Sequence, residues 1–106
     1  MEFSPMRSTE EEYLGFNFKR LLPTDGSVTL LSATVTATLV TGTDADPQGI
    51  VDGSAITASP LASQMIKPVG RNGNSYCLLC VGVLSNTEKK HICGTVTIDD
   101  DCCADG

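Results

Sequence analysis

Tryptophan is absent from this chain of 106 residues, and histidine occurs only once, at His91. A Ser-His-Asp or Cys-His catalytic site would therefore have to be built around that one imidazole. The sequence has no nucleophile elbow and no glycine-rich loop typical of phosphate binding, and its loop aspartates stand where turns favour Asp. We therefore predict a protein that is not an enzyme and that uses no cofactor and no metal.

Basic residues are also few. Seven Lys and Arg stand against thirteen Asp and Glu, which gives a net charge of −6, and no basic stripe of the kind that binds nucleic acid is present. No apolar run approaches the ~18 residues that a membrane helix needs. The first twelve residues are polar and acidic, unlike a secretory signal. The sequence thus predicts synthesis in a cytoplasm and no contact with nucleic acid or membrane.

The five cysteines are an odd number and cannot all pair within one chain. Without an export signal, reduced thiols are the simplest expectation. Cys77, Cys80, His91 and Cys93 include the residue types of a zinc site. Positions three apart in a strand point to opposite faces, however, so Cys77 and Cys80 cannot converge on one ion. We predict buried thiols here, with a metal site and a redox pair as the alternatives.

Thr, Ser, Val and Gly are plentiful, which favours strands and turns. The clearest pattern is a hairpin from Tyr76 to Ile98, with a turn at S-N-T-E-K-K. Its second strand alternates, with Ile92, Val96 and Ile98 on one face. Its first strand is apolar on both faces, which is typical of an interior strand covered on both sides. This hairpin predicts the architecture of the domain.

Tyr76 follows Gly73 and Asn74 at the start of that hairpin. This arrangement resembles a tyrosine corner, in which the hydroxyl group bonds to nearby backbone. Leu78 stands where antibody domains have a cysteine, so no disulfide between the sheets is expected.

Further strands are predicted by alternation and by the turn residues between them. They are a first strand containing Leu14, Phe16 and Phe18, a second from Val28 to Val40, short strands at Ile50-Val51 and Ala55 to Thr57, and another from Ala62 to Lys67. Ala33, Val35, Ala37 and Leu39 should share one face of the second strand. The total of about seven short strands predicts an all-β fold, an immunoglobulin-like antiparallel β-sandwich.

Three segments follow from the patterning: an N-terminal arm at 1–12, a β-sandwich domain at 13–99 and an acidic, cysteine-containing tail at 100–106. The arm lacks an apolar period, and we predict that it lies outside the core. Phe3 and Met6 in the arm, and Tyr13 at its end, are the predicted partner contacts, because apolar residues in a polar arm can dock on a neighbouring subunit. Cys102 and Cys103 in the tail could link two subunits after oxidation.

The order of Phe16-Asn17-Phe18, the strand S-V-T-L-L-S-A-T-V-T, a Gly/Asn turn, Y-C-L-L-C-V-G-V and T-V-T-I resembles the small immunoglobulin-like fiber-tail adaptors of tailed bacteriophages. The similarity covers about Tyr13 to Asp99. It implies a structural virion protein present in several copies at the tail or neck, which contacts fibers, neighbouring tail components and copies of itself. It also implies that Phe16, Phe18 and Tyr76 are packing residues.

Two other functions remain open at this stage. A capsid decoration protein would have the same sandwich and the same lack of catalytic residues. A carbohydrate-binding, adhesin-like module is a different class, and it usually needs exposed aromatic platforms. Since the chain has no Trp and both Tyr13 and Tyr76 are expected to pack, the sequence favours the tail or neck protein over the carbohydrate-binding module. The sequence does not separate the tail or neck protein from the capsid decoration protein.

Overall fold

The computed structural model describes residues 2–100, and it is all-β, as the sequence predicts. Residues 2–100 form six strands: β1 (Glu12–Asn17), β2 (Leu30–Thr41), β3 (Val51–Ala58), β4 (Leu61–Ile66), β5 (Ser75–Leu84) and β6 (Lys89–Thr97). Short 3₁₀ turns at Lys19–Leu21 and Pro47–Ile50 flank β2. None of the helical turns among residues 2–100 is long and apolar enough to cross a membrane.

The strands form two antiparallel sheets that pack together as a sandwich. The hairpin sheet has the order β2-β5-β6, and the short sheet has the order β1-β4-β3. The predicted hairpin is confirmed as β5 and β6, which pair from Ser75 with Thr97 to Val83 with Lys89. β5 is the central strand of its sheet, but its outer face is not covered as predicted, because Leu79 there is 36% exposed.

The core lies between the inner faces of the two sheets. The predicted inner positions of β2 are confirmed, with Val35 and Ala37 buried and Ala33 and Leu39 packed against the core. Its largest fully buried side chains are Tyr76, Phe16, Phe18, Met6, Ile50 and Ile66. Phe16 and Phe18 are thus packing residues, and burial of aromatic side chains of this size contributes strongly to a small core.

Six strands rather than seven are present because two predicted short strands are one. Ile50 ends the 3₁₀ turn before β3, and Val51 and Ala55 to Thr57 lie within β3. This strand pairs with β4 on both sides of one bulge. Asp52 lies opposite Met65 and Ile56 opposite Ser63, so two extra residues of β3 bulge out between these pairs. The bulge at Gly53 and Ser54 breaks the alternation, and the sequence therefore suggested a turn there.

The prediction that residues 1–12 lie outside the core is wrong for Met6. Its side chain is fully buried in the hydrophobic core, and Phe3 packs against the same cluster. The cysteine-containing part of the predicted tail, residues 101–106, lies outside the described residues. Asp100, which we assigned to that tail, receives a hydrogen bond from the backbone N–H of Ser8 at 2.6 Å.

Candidate contact surfaces

The N-terminal segment, residues 2–6, lies along the free edge of β6. The backbone N–H of Phe3 donates to the carbonyl of Thr95 at 2.9 Å, and that of Met6 donates to Thr97 at 3.0 Å. Asp99 returns a bond from its N–H to the carbonyl of Met6 at 2.8 Å. These bonds satisfy backbone groups that an open strand edge would present to other chains.

Phe3 sits on Gly94 of β6. A Cβ added at Gly94 would lie 2.5 Å from Cε2 of Phe3, a distance that real Cβ atoms do not adopt. The ring of Phe3 also meets that of Phe16 edge to face, with centroids 5.4 Å apart. Because Gly94 has no side chain, the ring of Phe3 can pack against β6 and also contact Phe16 of the short sheet. We call this position of Phe3 on Gly94 the seat of the N-terminal segment.

These positions bear on the predicted contact residues. Met6 is buried within its own chain and Phe3 is half-buried, so neither is presented to a partner while the segment is seated. Tyr13 is 52% exposed on β1, although its side chain was expected to pack. The structure therefore separates the three residues, and Tyr13 is the one on an open surface.

Tyr13 belongs to the outer face of the short sheet, which we call the short-sheet face. Pairing between the strands places nine outward positions in three rows: Tyr13, Met65 and Asp52; Gly15, Ser63 and Ile56; Asn17, Leu61 and Ala58. Ile56 is 55% exposed and Leu61 47% exposed.

Among these nine positions, only Asp52 has a charged side chain. It forms an ion pair with Lys67, whose Nζ atom lies 3.3 Å from the carboxylate. In a chain with a net charge of −6, this face therefore carries almost no charge. Aromatic residues and Met are enriched, and charges depleted, at the centres of protein interfaces. The short-sheet face shares the depletion of charge, and Tyr13 and Met65 are its residues of the enriched types.

The outer face of the hairpin sheet, which we call the hairpin face, is polar at its flanks. Thr34, Thr36 and Thr38 line it on β2, and His91 and Thr95 line it on β6. Threonine hydroxyl groups face water at little cost, whereas Leu79 on the central strand of this face is apolar and 36% exposed. His91 is exposed, in agreement with its place near the hairpin turn.

The three cysteines among residues 2–100 divide between the two sides of the hairpin sheet, as the alternation of the strands requires. Cys80 is buried in the core, and burial raises the pKa of its thiol to about 11. Cys77 and Cys93 lie on the hairpin face, with their Sγ atoms 2.6 Å apart. The prediction of buried thiols therefore holds for Cys80 and is wrong for exposed Cys93. Among residues 2–100, no group of three or more His, Cys, Asp or Glu side chains could hold a metal ion.

A polar network joins the loops at one end of the sandwich. The hydroxyl of Tyr76 donates to Oδ2 of Asp44 at 2.6 Å and accepts from Nδ2 of Asn74 at 2.9 Å. Nε of Arg71 also donates to Oδ2 of Asp44, at 3.0 Å. The partners of Tyr76 are thus side chains rather than the backbone groups of a tyrosine corner. The Tyr76 bond lowers the pKa of Asp44, with help from the backbone N–H of Asp46 and from Arg71.

Two clefts also lie on the surface that residues 2–100 form. A cleft of about 270 Å³ lies beside Leu22, Pro23 and Pro60, and one of about 230 Å³ lies between β2 and β3 next to Gln48. The linings combine apolar side chains with hydroxyl and amide groups, and Lys19 in the first cleft is their one ionisable residue.

Sequence reasoning missed the seat at Gly94 and the pair formed by Cys77 and Cys93. The seat left no local signal, since Phe3 and Gly94 are far apart in the chain. The cysteine pair did leave a signal in the sequence, namely the length of the hairpin turn. A three-residue turn at 85–87 fixes the register of β5 with β6 and places Cys77 diagonally opposite Cys93. No protein-family model, curated protein or solved structure matches the chain.

Proposed function

We propose that this chain is a structural virion protein of a tailed bacteriophage. It acts as an adaptor at the tail or neck, in several copies, and joins fibers or neighbouring tail components. It would be made in the host cytoplasm and then be built into the particle, with other structural proteins and its own copies as partners. The proposal combines the sequence resemblance described above with the character of one surface.

The observation that carries the proposal is the short-sheet face. An acidic protein that works alone in water would be expected to spread its charges over its largest surfaces. Here the nine outward strand positions carry one carboxylate, which is paired with Lys67, and they expose Tyr13, Ile56 and Leu61. A flat, nearly uncharged face of this kind favours docking on another protein.

The N-terminal segment contains Phe3 and Met6, the other two predicted contact residues. While seated, it covers the edge of β6 and keeps Met6 in the core. Contact between Phe3 or Met6 and a partner would require the segment to leave its seat. Tyr13 on the short-sheet face can make a contact without any rearrangement, and it is therefore the principal contact residue that we propose.

Substitution on the two outer faces tests the proposed contact. Ile56→Lys places a charge on β3, in the middle row of the short-sheet face, and Thr36→Lys places the same charge on β2 of the hairpin face. Both strands are edges of their sheets, so the second variant is a matched control. Both side chains are exposed, so both variants should keep the stability of the unchanged protein within about 0.5 kcal/mol. Burying an unpartnered ammonium group in an interface is costly, so Ile56→Lys should lower incorporation into virions about tenfold or more. Equal incorporation of the two variants would contradict the proposed contact.

Immunogold electron microscopy of purified virions tests the location. Antibody against the chain should label the tail or neck, at the same place in every particle. Label spread over the capsid would instead identify a decoration protein. Virions that contain no copy of the chain by mass spectrometry would rule out both forms of the proposal.

The carbohydrate-binding alternative gains one observation from the structure, the exposure of Tyr13. A single tyrosine on a flat sheet can stack on a sugar ring, although such a platform usually has more than one aromatic residue. A glycan array probed with the unchanged chain and with Tyr13→Ala separates the two classes. Binding that is lost in Tyr13→Ala would favour the module over the adaptor.

A further inference from the structure

Two thiols of the hairpin face meet across neighbouring strands. The Sγ atoms of Cys77 on β5 and Cys93 on β6 are 2.6 Å apart, about half an ångström more than the ~2.05 Å of a disulfide bond. The register pairs Cys77 with Thr95 and Leu79 with Cys93, so the cysteines are diagonal neighbours on one side of the sheet. Cys93 is exposed and Cys77 is half-buried, so solvent and small molecules reach the pair.

We propose that Cys77 and Cys93 form an oxidisable dithiol that closes reversibly to a disulfide between β5 and β6, with glutathione disulfide as an oxidant. The site is a covalent modification site on the hairpin face. It does not depend on the proposed function, since it needs only the hairpin register and access to solvent. It also differs from the metal site considered for the sequence, because Cys80 and His91 take no part.

Thiol–disulfide exchange gives the order of events. The thiolate of exposed Cys93 attacks one sulfur of glutathione disulfide, breaks its S–S bond, and releases one glutathione thiolate. The thiolate of Cys77 then attacks the Cys93 sulfur of the mixed disulfide and releases the second glutathione thiolate. The two protons lost by the cysteines end on the two glutathione molecules. The protein loses two electrons, and glutathione disulfide gains them.

The surroundings support this division of roles. Cys93 is the more exposed of the two thiols, so a small disulfide reaches it first. Contact with Cys93 and, to a smaller degree, burial raise the pKa of the Cys77 thiol. Cys80 is three positions along the same strand but faces the core, with no exposed surface. A small disulfide cannot reach it while the protein is folded. Cys80 therefore serves as an internal control for any oxidation of the hairpin face.

Closure should stabilise the fold and should be reversible. A bond from Cys77 to Cys93 encloses the hairpin turn and restricts the unfolded chain, as disulfides generally do. For a domain of this size we expect the melting temperature to rise by about 5–10 °C. Because the bond would face solvent, reduced glutathione or dithiothreitol can attack it and restore the two thiols.

The test uses the full chain with Cys102→Ser and Cys103→Ser, so that the thiols outside the described residues do not interfere. The protein is incubated with glutathione disulfide, alkylated under denaturing conditions, and analysed by intact mass and peptide mapping. We expect the loss of two hydrogen atoms, a Cys77–Cys93 linkage, an alkylated Cys80 and a higher melting temperature, all reversed by dithiothreitol. Persistence of both thiols, a lasting glutathione adduct on Cys93, or linkage to Cys80 would overturn the proposal.

Matched variants then assign the roles. Cys77→Ser removes the resolving thiol, so glutathione should remain on Cys93. Cys93→Ser removes the accessible thiol, and Cys77 should then react at least about tenfold more slowly, because it is less exposed. Cys80→Ala should still close the linkage. Circular dichroism checks the fold of each variant, and the result with Cys77, Cys80 and Cys93 unchanged stands even where a variant unfolds.

Discussion

The hairpin sheet and the short sheet achieve the same antiparallel pairing in different ways. Strands β2, β5 and β6 are 12, 10 and 9 residues long, and β5 pairs with β6 over nine successive residues without a break. Strands β1 and β4 are 6 residues long, and β3 contains the bulge between Asp52 and Ile56. The ladder between β5 and β6 is thus regular, and β2 pairs with β5 with register shifts near the two ends of β2. In the short sheet, the bulged strand β3 receives help from a side chain.

Gln64 supplies much of that help. It is the fully buried polar residue on the inner face of β4, and its Nε2 lies 2.9 Å from the carbonyl oxygen of Asp52, 3.1 Å from that of Gly53 and 3.2 Å from that of Met65. These contacts provide partners for carbonyl groups that the bulge removes from the ladder. In the short sheet, one amide group therefore supplies hydrogen bonds that the bulged ladder lacks, and these bonds depend on a single residue.

The largest effect is expected where the two sheets meet. Phe18 is fully buried and its ring lies on β5 at Gly82, where an added Cβ would be 2.8 Å from Cε2 of Phe18. Phe18→Ala should lower the free energy of unfolding by about 3–5 kcal/mol, because it leaves a cavity between the sheets. Urea unfolding followed by circular dichroism and tyrosine fluorescence measures this.

Leu21→Ala, on the exposed turn after Phe18, is the control and should change stability by no more than about 0.5 kcal/mol. If the two probes showed separate transitions in Phe18→Ala, the sheets would be independent units. A loss of less than about 1 kcal/mol would mean that Phe18 does not join them.

The next largest effect concerns the edge of the hairpin sheet. Met6 is fully buried against that sheet, so Met6→Ala should cost about 2–4 kcal/mol and loosen the N-terminal segment from β6. Hydrogen exchange should show faster exchange at the amides of Phe3 and Met6. Pro5→Ala, at an exposed position of the same segment, is the control. Unchanged stability in Met6→Ala would restore the original prediction of an arm that lies outside the core.

The contrast between the sheets also explains how far the sequence predicts the fold. The alternation in β2, β5 and β6 is regular, because the ladder between β5 and β6 has no break and the register shifts between β2 and β5 lie near the two ends of β2. The strands of the short sheet were placed less well. Their pattern is short, and the bulge between Asp52 and Ile56 interrupts the pairing of β3 with β4.

The contact surfaces were harder to predict than the strands. The seating of Phe3 and Met6 depends on β6, which lies some 90 positions later in the chain. Such contacts leave no trace in a local period. The pair of Cys77 and Cys93 was within reach, but Cys77 was compared with Cys80 along its own strand rather than with the partner strand. The exposure of Tyr13 follows from its parity with Gly15, opposite to that of buried Leu14 and Phe16.

A substitution at Gln64 examines the short sheet alone. Gln64→Leu replaces the polar amide with an apolar side chain. The carbonyl groups of Asp52 and Gly53 then lose their partner. We expect a loss of about 1–3 kcal/mol in the free energy of unfolding. Hydrogen exchange should increase in β3 and β4 while β5 and β6 keep their protection. Ser63→Ala, the outward neighbour, is the control, and equal exchange changes in both sheets would contradict the assigned role of Gln64.

The smallest effect is expected at the loop end, where Asp44 joins the loop after β2 to the loop before β5. The pKa of Asp44 is below its ordinary value of 3.8, chiefly because the Tyr76 hydroxyl donates to its carboxylate. A carboxylate whose pKa is lowered by folding stabilises the fold at every pH above its unfolded pKa. That contribution is lost as the pH falls through the folded pKa.

Stability should therefore decline below about pH 4, and less steeply in Asp44→Asn, whose amide does not titrate. Tyr76→Phe, which removes the donor, should reduce the decline in the same way, although Arg71 still contacts the carboxylate. Urea midpoints measured from pH 7 to pH 2 test this, and the same acid decline in Asp44→Asn as in the unchanged protein would show that Asp44 does not couple the two loops to pH.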